Sequence, residues 1–393
     1  MDFAPAQALM KELRIDAWLV FDFRASNSVL GLLLPGKRHT TRRTALLIPS
    51  EGQPRLLVHA LDAGQYDDAE AHGIARDRFV SWKQLHAWIN DALGSFRRIA
   101  MEYSPGNALP VVGMVDAGTI ELIRAAGVEV VSSADLIQAS VACWSAGAVS
   151  RHADASRKVA SAKDAAFSFI RERLRAGQPV LEHQAADIVR ERFKADGLEW
   201  PDGPIVAVNA NSADPHYEPS ADKPVPIHRG DWVLLDLWAR VPGDENIYSD
   251  ITWTAYAGER VPDEHRQVFE AVKAARDASL ERAIAGWKAG GVEGWQLDDA
   301  ARHTLEQLGH AEHIKHRTGH SLSPGARVHG VGMNLDNLET RDTRRMLAGT
   351  GFTIEPGAYL DGRFGCRNEI DVYVDPARGP VVTSCSQDEV VLV

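Results

Sequence analysis

The sequence predicts an α/β domain over residues 1–145 followed by an α+β domain over residues 146–393. Three observations carry that division. A chain of 393 residues exceeds the roughly 250–300 that one core usually serves. The first part alternates short apolar runs with helical patterns, as an α/β layer does. The second part has longer helical patterns bracketing long strand-like runs, and in two of those runs acids recur at one spacing.

In chain order, "AWLVF", "TALLIP", "RLLVH", "RIAME" and "VEVV" read as buried strands. "PAQALMKELR", "WKQLHAWINDALG" and "VDAGTIELIRAAG" have helical spacing. No glycine-rich phosphate loop follows the first strand, so a nucleotide site is not expected there. Beyond residue 145, Val159, Ala162, Ala166, Ile170 and Leu174 mark one helix face. Further helices are predicted over 180–196, with Gly197 as a left-handed cap, and over 264–285 and 297–308. The strands of this half are "PIVAVN", "GDWVLLDLW", "YSDITWTAYAG", "GTGFTIEPGAYL", "CRNEIDVYV" and "SQDEVVLV".

Composition narrows the function. A net charge of −11 argues against nucleic acid as the main partner. Cys143, Cys366 and Cys385 form neither a disulfide framework nor a zinc knuckle, which fits a reducing compartment. The start lacks the basic head and apolar core of a signal peptide, and no apolar run approaches the roughly 18 residues of a membrane span. A cytoplasmic protein is expected.

The acids carry the chemistry. Asp236 and Asp250 are fourteen residues apart with Gly243 midway, and Glu355 and Glu369 are fourteen apart with Gly362 midway. In two odd-looped hairpins each pair would face across a ladder. Single strand acids usually face solvent, but four carboxylates in two matched apolar runs need a counter-charge. Two divalent cations would supply it. Histidine is available as a further ligand in the segment holding His303, His310, His313, His316, His320 and His329, most of them expected on exposed helix or loop. His320 stands out, because the glycine before it permits a close backbone approach. His216 lies in a proline-rich turn ahead of the first acid pair.

The order Asp, Asp, His, Glu, Glu, with "SDITWT", "HRTGHS", "VHG", "IEPGAY" and "RNEIDVY", resembles the pita-bread metallopeptidase family of methionine aminopeptidases, aminopeptidase P, prolidases and the metal-free creatinases. The resemblance covers nearly the whole chain. Its first part is similar to the creatinase-type amino-terminal domain of prolidases and aminopeptidase P. The resemblance implies a pita-bread catalytic domain with two divalent ions per subunit. Asp236 would be a terminal ligand, Asp250 and Glu369 would bridge, and His320 and Glu355 would complete the set. Thr252, Tyr359 and Arg367 match supporting positions, and His216 and His329 would contact substrate. A bridging hydroxide would attack the scissile carbonyl while Glu355 moved the proton to the leaving amine. The oxygen-rich ligand set suits Mn²⁺, with Co²⁺ or Zn²⁺ as alternatives.

The expectation is a metal-dependent Xaa-Pro dipeptidase (prolidase-like), acting on small peptides as a homodimer. Aminopeptidase P activity on longer peptides and a non-catalytic binding module are the alternatives. Metal-free creatinase-like hydrolysis is disfavoured, since all five ligand positions hold suitable residues. Two departures from the family pattern stand out. "PGDE" reads as a hairpin extension beyond the aspartates, and two extra residues separate His320 from His329.

Overall fold

The computed structural model describes residues 2–34, 36 and 38–393, and the chain divides into two compact units, Met1–Val141 and Ala142–Val393. The first unit runs α1 (Ala4–Leu13), β1 (Ala17–Phe23), α2 (Ser28–Leu33), β2 (Arg43–Pro49), β3 (Arg55–His59), β4 (Ala75–Phe79), α3 (Trp82–Leu93), β5 (Arg98–Met101), α4 (Ala117–Ala125), β6 (Glu129–Ser132) and α5 (Ala134–Val141). Its mixed sheet has the order β4-β3-β2-β1-β5-β6. Central β1, buried at six of its seven positions, pairs antiparallel with β2 and parallel with β5. Local chemistry starts the helices: Asn27 caps α2, Ser81 and Gln84 close a capping box on α3, and Asp116 caps α4.

Sequence periodicity missed β4, α2 and α5. The strand β4 is an edge strand reading Ala-Arg-Asp-Arg-Phe, and an edge tolerates charges that break the apolar pattern. The helices α2 and α5, of six and eight residues, are too short for a helical period to register. Glu102, fully buried here, takes hydrogen bonds from Trp18, Asn27 and Ser133, three neutral donors. Burial raises its pKa, and no cation is needed.

The second unit runs α6 (Ala146–Arg175), β7 (Val180–Leu181), α7 (Glu182–Ala195), β8 (Ile205–Val208), β9 (Pro226–Ile227), β10 (Trp232–Ala239), β11 (Ser249–Tyr256), α8 (Asp263–Lys288), α9 (Gly294–Gln307), β12 (Ser321–Leu322), β13 (Gly351–Ile354), β14 (Gly357–Leu360), β15 (Phe364–Arg367), β16 (Ile370–Asp375), β17 (Gly379–Val382) and β18 (Val391–Leu392). Two four-stranded sheets, β18-β11-β10-β8 and β12-β13-β16-β17, accompany the small β14-β15 and β7-β9 ladders. "GTGFTIEPGAYL" and "CRNEIDVYV", read as single runs, are each broken, at Glu355-Pro356 and at Asn368-Glu369. Pro356 has no N–H to donate to a ladder. Most of "SQDEVVLV" stays outside the sheets, because Gln387 turns inward to bond Thr254.

Strand parity separates core from site. In the first sheet Val233, Leu235, Leu237, Ala239 and Ile251 join α6 and α7 in one apolar cluster. In the second, Phe352, Ile354, Ile370, Val372 and Val374 pack with residues of α8 and α9. Side chains alternate along a strand, so Asp236, Asp250 and Thr252 in the first sheet lie on the face away from these helices. The same holds for Thr353 and Asp371 in the second. The two strand sets meet where the Glu369 N–H donates to the Thr252 carbonyl at 3.3 Å.

Candidate metal centre

The register of the first hairpin corrects one expectation. Asp236 pairs with Thr252, and Asp250 pairs with Trp238, so the aspartates are diagonal neighbours and do not face each other. The ladder closes at Ala239 and Ser249, leaving residues 240–248 as a loop centred on Asp244 and not on Gly243. Asn246 organises that loop, its side-chain amide donating to the carbonyls of Val241 and Pro242. The shift is an even one, so both aspartates stay on one face. The second hairpin keeps the expected register. Ile354 pairs with Ile370 and Gly357 with Arg367, which sets Glu355 across from Glu369 at the junction of the two ladders. Its loop has an odd length, residues 361–363, with Gly362 at φ +70° in the left-handed region.

Three ligand candidates converge on one point. One atom each from Asp250, His320 and Glu369 lies within 4.8 Å of the others, and all three residues are buried. His320 Nδ1 sits 3.1 Å from the Ser321 carbonyl. A carbonyl only accepts, so Nδ1 carries the proton and Nε2 turns its lone pair inward. Nε2 is 3.5 Å from Asp250 Oδ2 and 3.5 Å from Glu355 Oε1. Those separations surround a point and are too long for good hydrogen bonds. An oxygen-rich set with one imidazole, buried and convergent, fits a hard or borderline divalent cation. Gly319 permits this placement: a Cβ there would meet the Thr353 carbonyl oxygen at 2.1 Å.

Asp236 joins through the supporting residues. The Thr252 hydroxyl lies 3.1 Å from Asp236 Oδ1 and 2.8 Å from Glu369 Oε2. Arg367 donates to Thr252 Oγ1 at 2.9 Å, to the Tyr359 hydroxyl at 2.9 Å and to Asp236 Oδ2, and its Nε is 3.8 Å from Glu355. This guanidinium is a cation set against two of the carboxylates, Asp236 and Glu355, and offsets part of their repulsion. Burial first, then mutual repulsion, raises Asp250 and Glu369 well above the usual carboxylate range. Burial also raises Asp236, against the pull of Arg367. For Glu355 burial is outweighed by His320, His316 and Arg367, and its pKa is lowered.

The two remaining histidines are placed differently. The His329 ring lies against His320, tilted by 34° with ring centroids 4.0 Å apart, and its outer edge is exposed. The neighbouring His320, then burial of its inner face, lowers its pKa to about 4. His216 is exposed on the loop after residues 209–213, with its backbone amide held by Asp214 at 3.0 Å. Its imidazole takes no part in the hydrogen bonds and ring contacts of the cluster.

Sequence reading passed over two residues. His316, grouped with the exposed histidines, is half-buried, with Nε2 2.6 Å from the Tyr359 hydroxyl and Nδ1 2.7 Å from the Arg317 carbonyl. Six histidines between 303 and 329 hid it, and spacing gives no way to choose among them. Asp371 accepts from Ser249 Oγ at 2.9 Å and from the Asp250 N–H at 3.1 Å. Its signal was available, since it lies two residues beyond Glu369 in the run that the sequence reads as one strand.

Helix-covered sheets enclosing a buried carboxylate–imidazole cluster define a pita-bread metallopeptidase. Residues 154–376 match the sequence pattern of Metallopeptidase family M24, and the chain belongs to that family. It is 28% identical over 365 residues to a probable dipeptidase PepE of Mycobacterium bovis, covering 91% of this chain and 88% of that one. An Xaa-Pro dipeptidase from Lactobacillus delbrueckii subsp. lactis is 29% identical over 215 residues, 54% of this chain and 53% of that one. The crystal structure of dipeptidase PepE from Mycobacterium ulcerans is similar over 100% of this chain and 96% of that one, with TM-score 0.65 and 25% identity. Membership of a metallopeptidase family, together with this buried carboxylate–imidazole cluster, implies divalent metal ions. Among the described residues, no helix is long and apolar enough to cross a membrane.

Proposed function

We propose that this chain is an exopeptidase that cleaves the Xaa-Pro bond of dipeptides at a site holding two divalent ions, with Mn²⁺ as the preferred metal. The observation that carries the reading is the buried convergence of Asp250, His320 and Glu369, flanked by Glu355 and Asp236. These five residues would hold the cations, which when bound supply Lewis acidity and an acidified water. Glu355 is ionised at neutral pH, so it can take a proton from the attacking water and pass it to the departing amine. His329 is neutral there and can donate its N–H where the carbonyl oxygen gains charge. His216, on its exposed loop, would reach the substrate from outside the cluster.

The names of the relatives, probable dipeptidase and Xaa-Pro dipeptidase, support a dipeptide substrate over longer peptides. We further propose a cytoplasmic homodimer, with residues 1–145 as a creatinase-type amino-terminal domain. Cys143, Cys366 and Cys385 form no disulfide, consistent with that compartment. The test strips the protein with chelator, restores Mn²⁺, Co²⁺ or Zn²⁺ separately, and assays Xaa-Pro dipeptides, Xaa-Pro-Yaa tripeptides and dipeptides lacking proline. Fastest turnover of Xaa-Pro dipeptides with Mn²⁺ is expected, with two ions bound per subunit. Faster tripeptide turnover would reassign the chain to aminopeptidase P activity. Full activity after chelation would defeat the metal-dependent reading.

A further inference from the structure

The hairpin loop 240–248 and the loop 323–330 are bound to each other. Arg240, the first residue beyond β10, is held by its backbone, which bonds Glu199 in both directions at 2.9 and 3.0 Å. Its buried guanidinium donates to Glu199, to Asp244 at 2.9 Å, to the Asn246 carbonyl at 3.3 Å and to the Gly325 carbonyl. It also lies over the Tyr248 ring at 4.6 Å. In return the Gly325 N–H donates to the Asp244 carbonyl at 2.7 Å, and the Tyr248 hydroxyl reaches the Ala326 carbonyl at 3.4 Å. The tip of one loop is thus fastened to the other by three contacts, two of them to a single glycine.

The base of loop 323–330 is fastened separately. The Gly330 N–H donates to the Ser321 carbonyl at 2.7 Å, and the Val331 N–H donates to Ser323 Oγ at 3.1 Å. The fit is close, for a Cβ on Gly330 would meet Ser323 Oγ at 2.3 Å. His329 lies between these two anchors, with one edge exposed and one face on His320. The base fixes where the backbone of His329 starts. It leaves the rest of the loop free to swing unless the tip is also held.

We propose that Arg240 is a positioning residue that, through Asp244 and Gly325, holds loop 323–330 so that His329 meets the substrate in a single orientation. This inference rests on the role proposed for His329. A donor that acts where charge develops contributes to turnover far more than to ground-state binding, and a misplacement of about 1 Å can cost about a hundredfold. Releasing the tip should therefore lower kcat and leave KM nearly unchanged.

The test measures kcat, KM, metal content and amide hydrogen exchange for Arg240→Ala, Arg240→Lys, Asp244→Ala and His329→Ala, and for Arg240→Ala combined with His329→Ala. The expected result is a roughly ten- to hundredfold fall in kcat for Arg240→Ala, with KM within about twofold and metal content unchanged. Arg240→Lys should recover part of the loss. Amides of residues 325–331 should exchange faster in Arg240→Ala. Adding Arg240→Ala to His329→Ala should cost nothing more, because the two act through one group. Asp244, largely exposed, can be replaced with little risk to folding, and Asp244→Ala should show the same pattern more weakly if Arg240→Ala fails to fold. An impaired His329→Ala beside normal turnover in Arg240→Ala and Asp244→Ala would overturn the positioning role alone. An equal loss from Arg240→Ala in both backgrounds would overturn it too. Full turnover in His329→Ala would overturn both that role and the one proposed for His329.

Discussion

Thr252 stands directly across the ladder from Asp236, and its one hydroxyl contacts both Asp236 and Glu369 while accepting from Arg367. The hydroxyl has a single proton to give. The shorter contact, 2.8 Å to Glu369, is where it goes, and this ties a carboxylate of one hairpin to a side chain of the other.

Thr252→Val keeps the shape and removes that tie. The buried Arg367 Nε then loses its acceptor and Glu369 loses its donor. A stability loss of about 1–3 kcal/mol is expected in denaturant titration. Glu369 should also hold metal less tightly, seen as a higher metal concentration at half-maximal activity. Unchanged metal titration in Thr252→Val would show that Arg367 alone orients the acids.

The response to cations should depend on pH. Asp236, Asp250 and Glu369 are raised above their ordinary values, first by burial. The folded, metal-free protein therefore keeps protons that the unfolded chain has released, and its stability falls as pH rises through that window. Glu355, lowered, works in the opposite sense and only below its ordinary value of 4.5. Cation binding must displace the retained protons, so it gains strength as pH rises. The rise in Tm on adding Mn²⁺ should be larger at about pH 8 than at about pH 6. His152, lowered to about 4 by burial, affects both forms alike and drops out of the comparison. An equal or smaller rise at the higher pH would contradict this electrostatic account.

Gly319→Ala should be costly for a steric reason. The new Cβ would meet backbone, the Thr353 carbonyl at 2.1 Å, and no rotamer change relieves it. A loss of about 3 kcal/mol is expected, the upper end for overpacking, with His320 displaced from Asp250 and Glu369. Thermal denaturation and metal content check this together. Wild-type values for both would mean that the β12 and β13 backbones can part without disturbing the site.

The sequence by itself supplied the candidate acids and determined which strand face they take. Side-chain alternation is local, with a period of two, so apolar residues at odd positions of β10 and even positions of β13 and β16 dictate where Asp236 and Asp371 point. Helix faces and glycine caps are local in the same way; Gly197, with φ +67°, follows α7 as its spacing predicts. Only the tertiary structure decided the pairing of the first hairpin, because a nine-residue loop gives no unique centre until Asn246 and Arg240 anchor it. It also decided that a further histidine is drawn to the site, since His316 is selected by Tyr359, forty-three residues later in the chain. The meeting of Thr252 with Glu369, separated by 117 residues, belongs to the same category. Contacts of that kind depend on how whole sheets close on one another, and no short-range pattern encodes it.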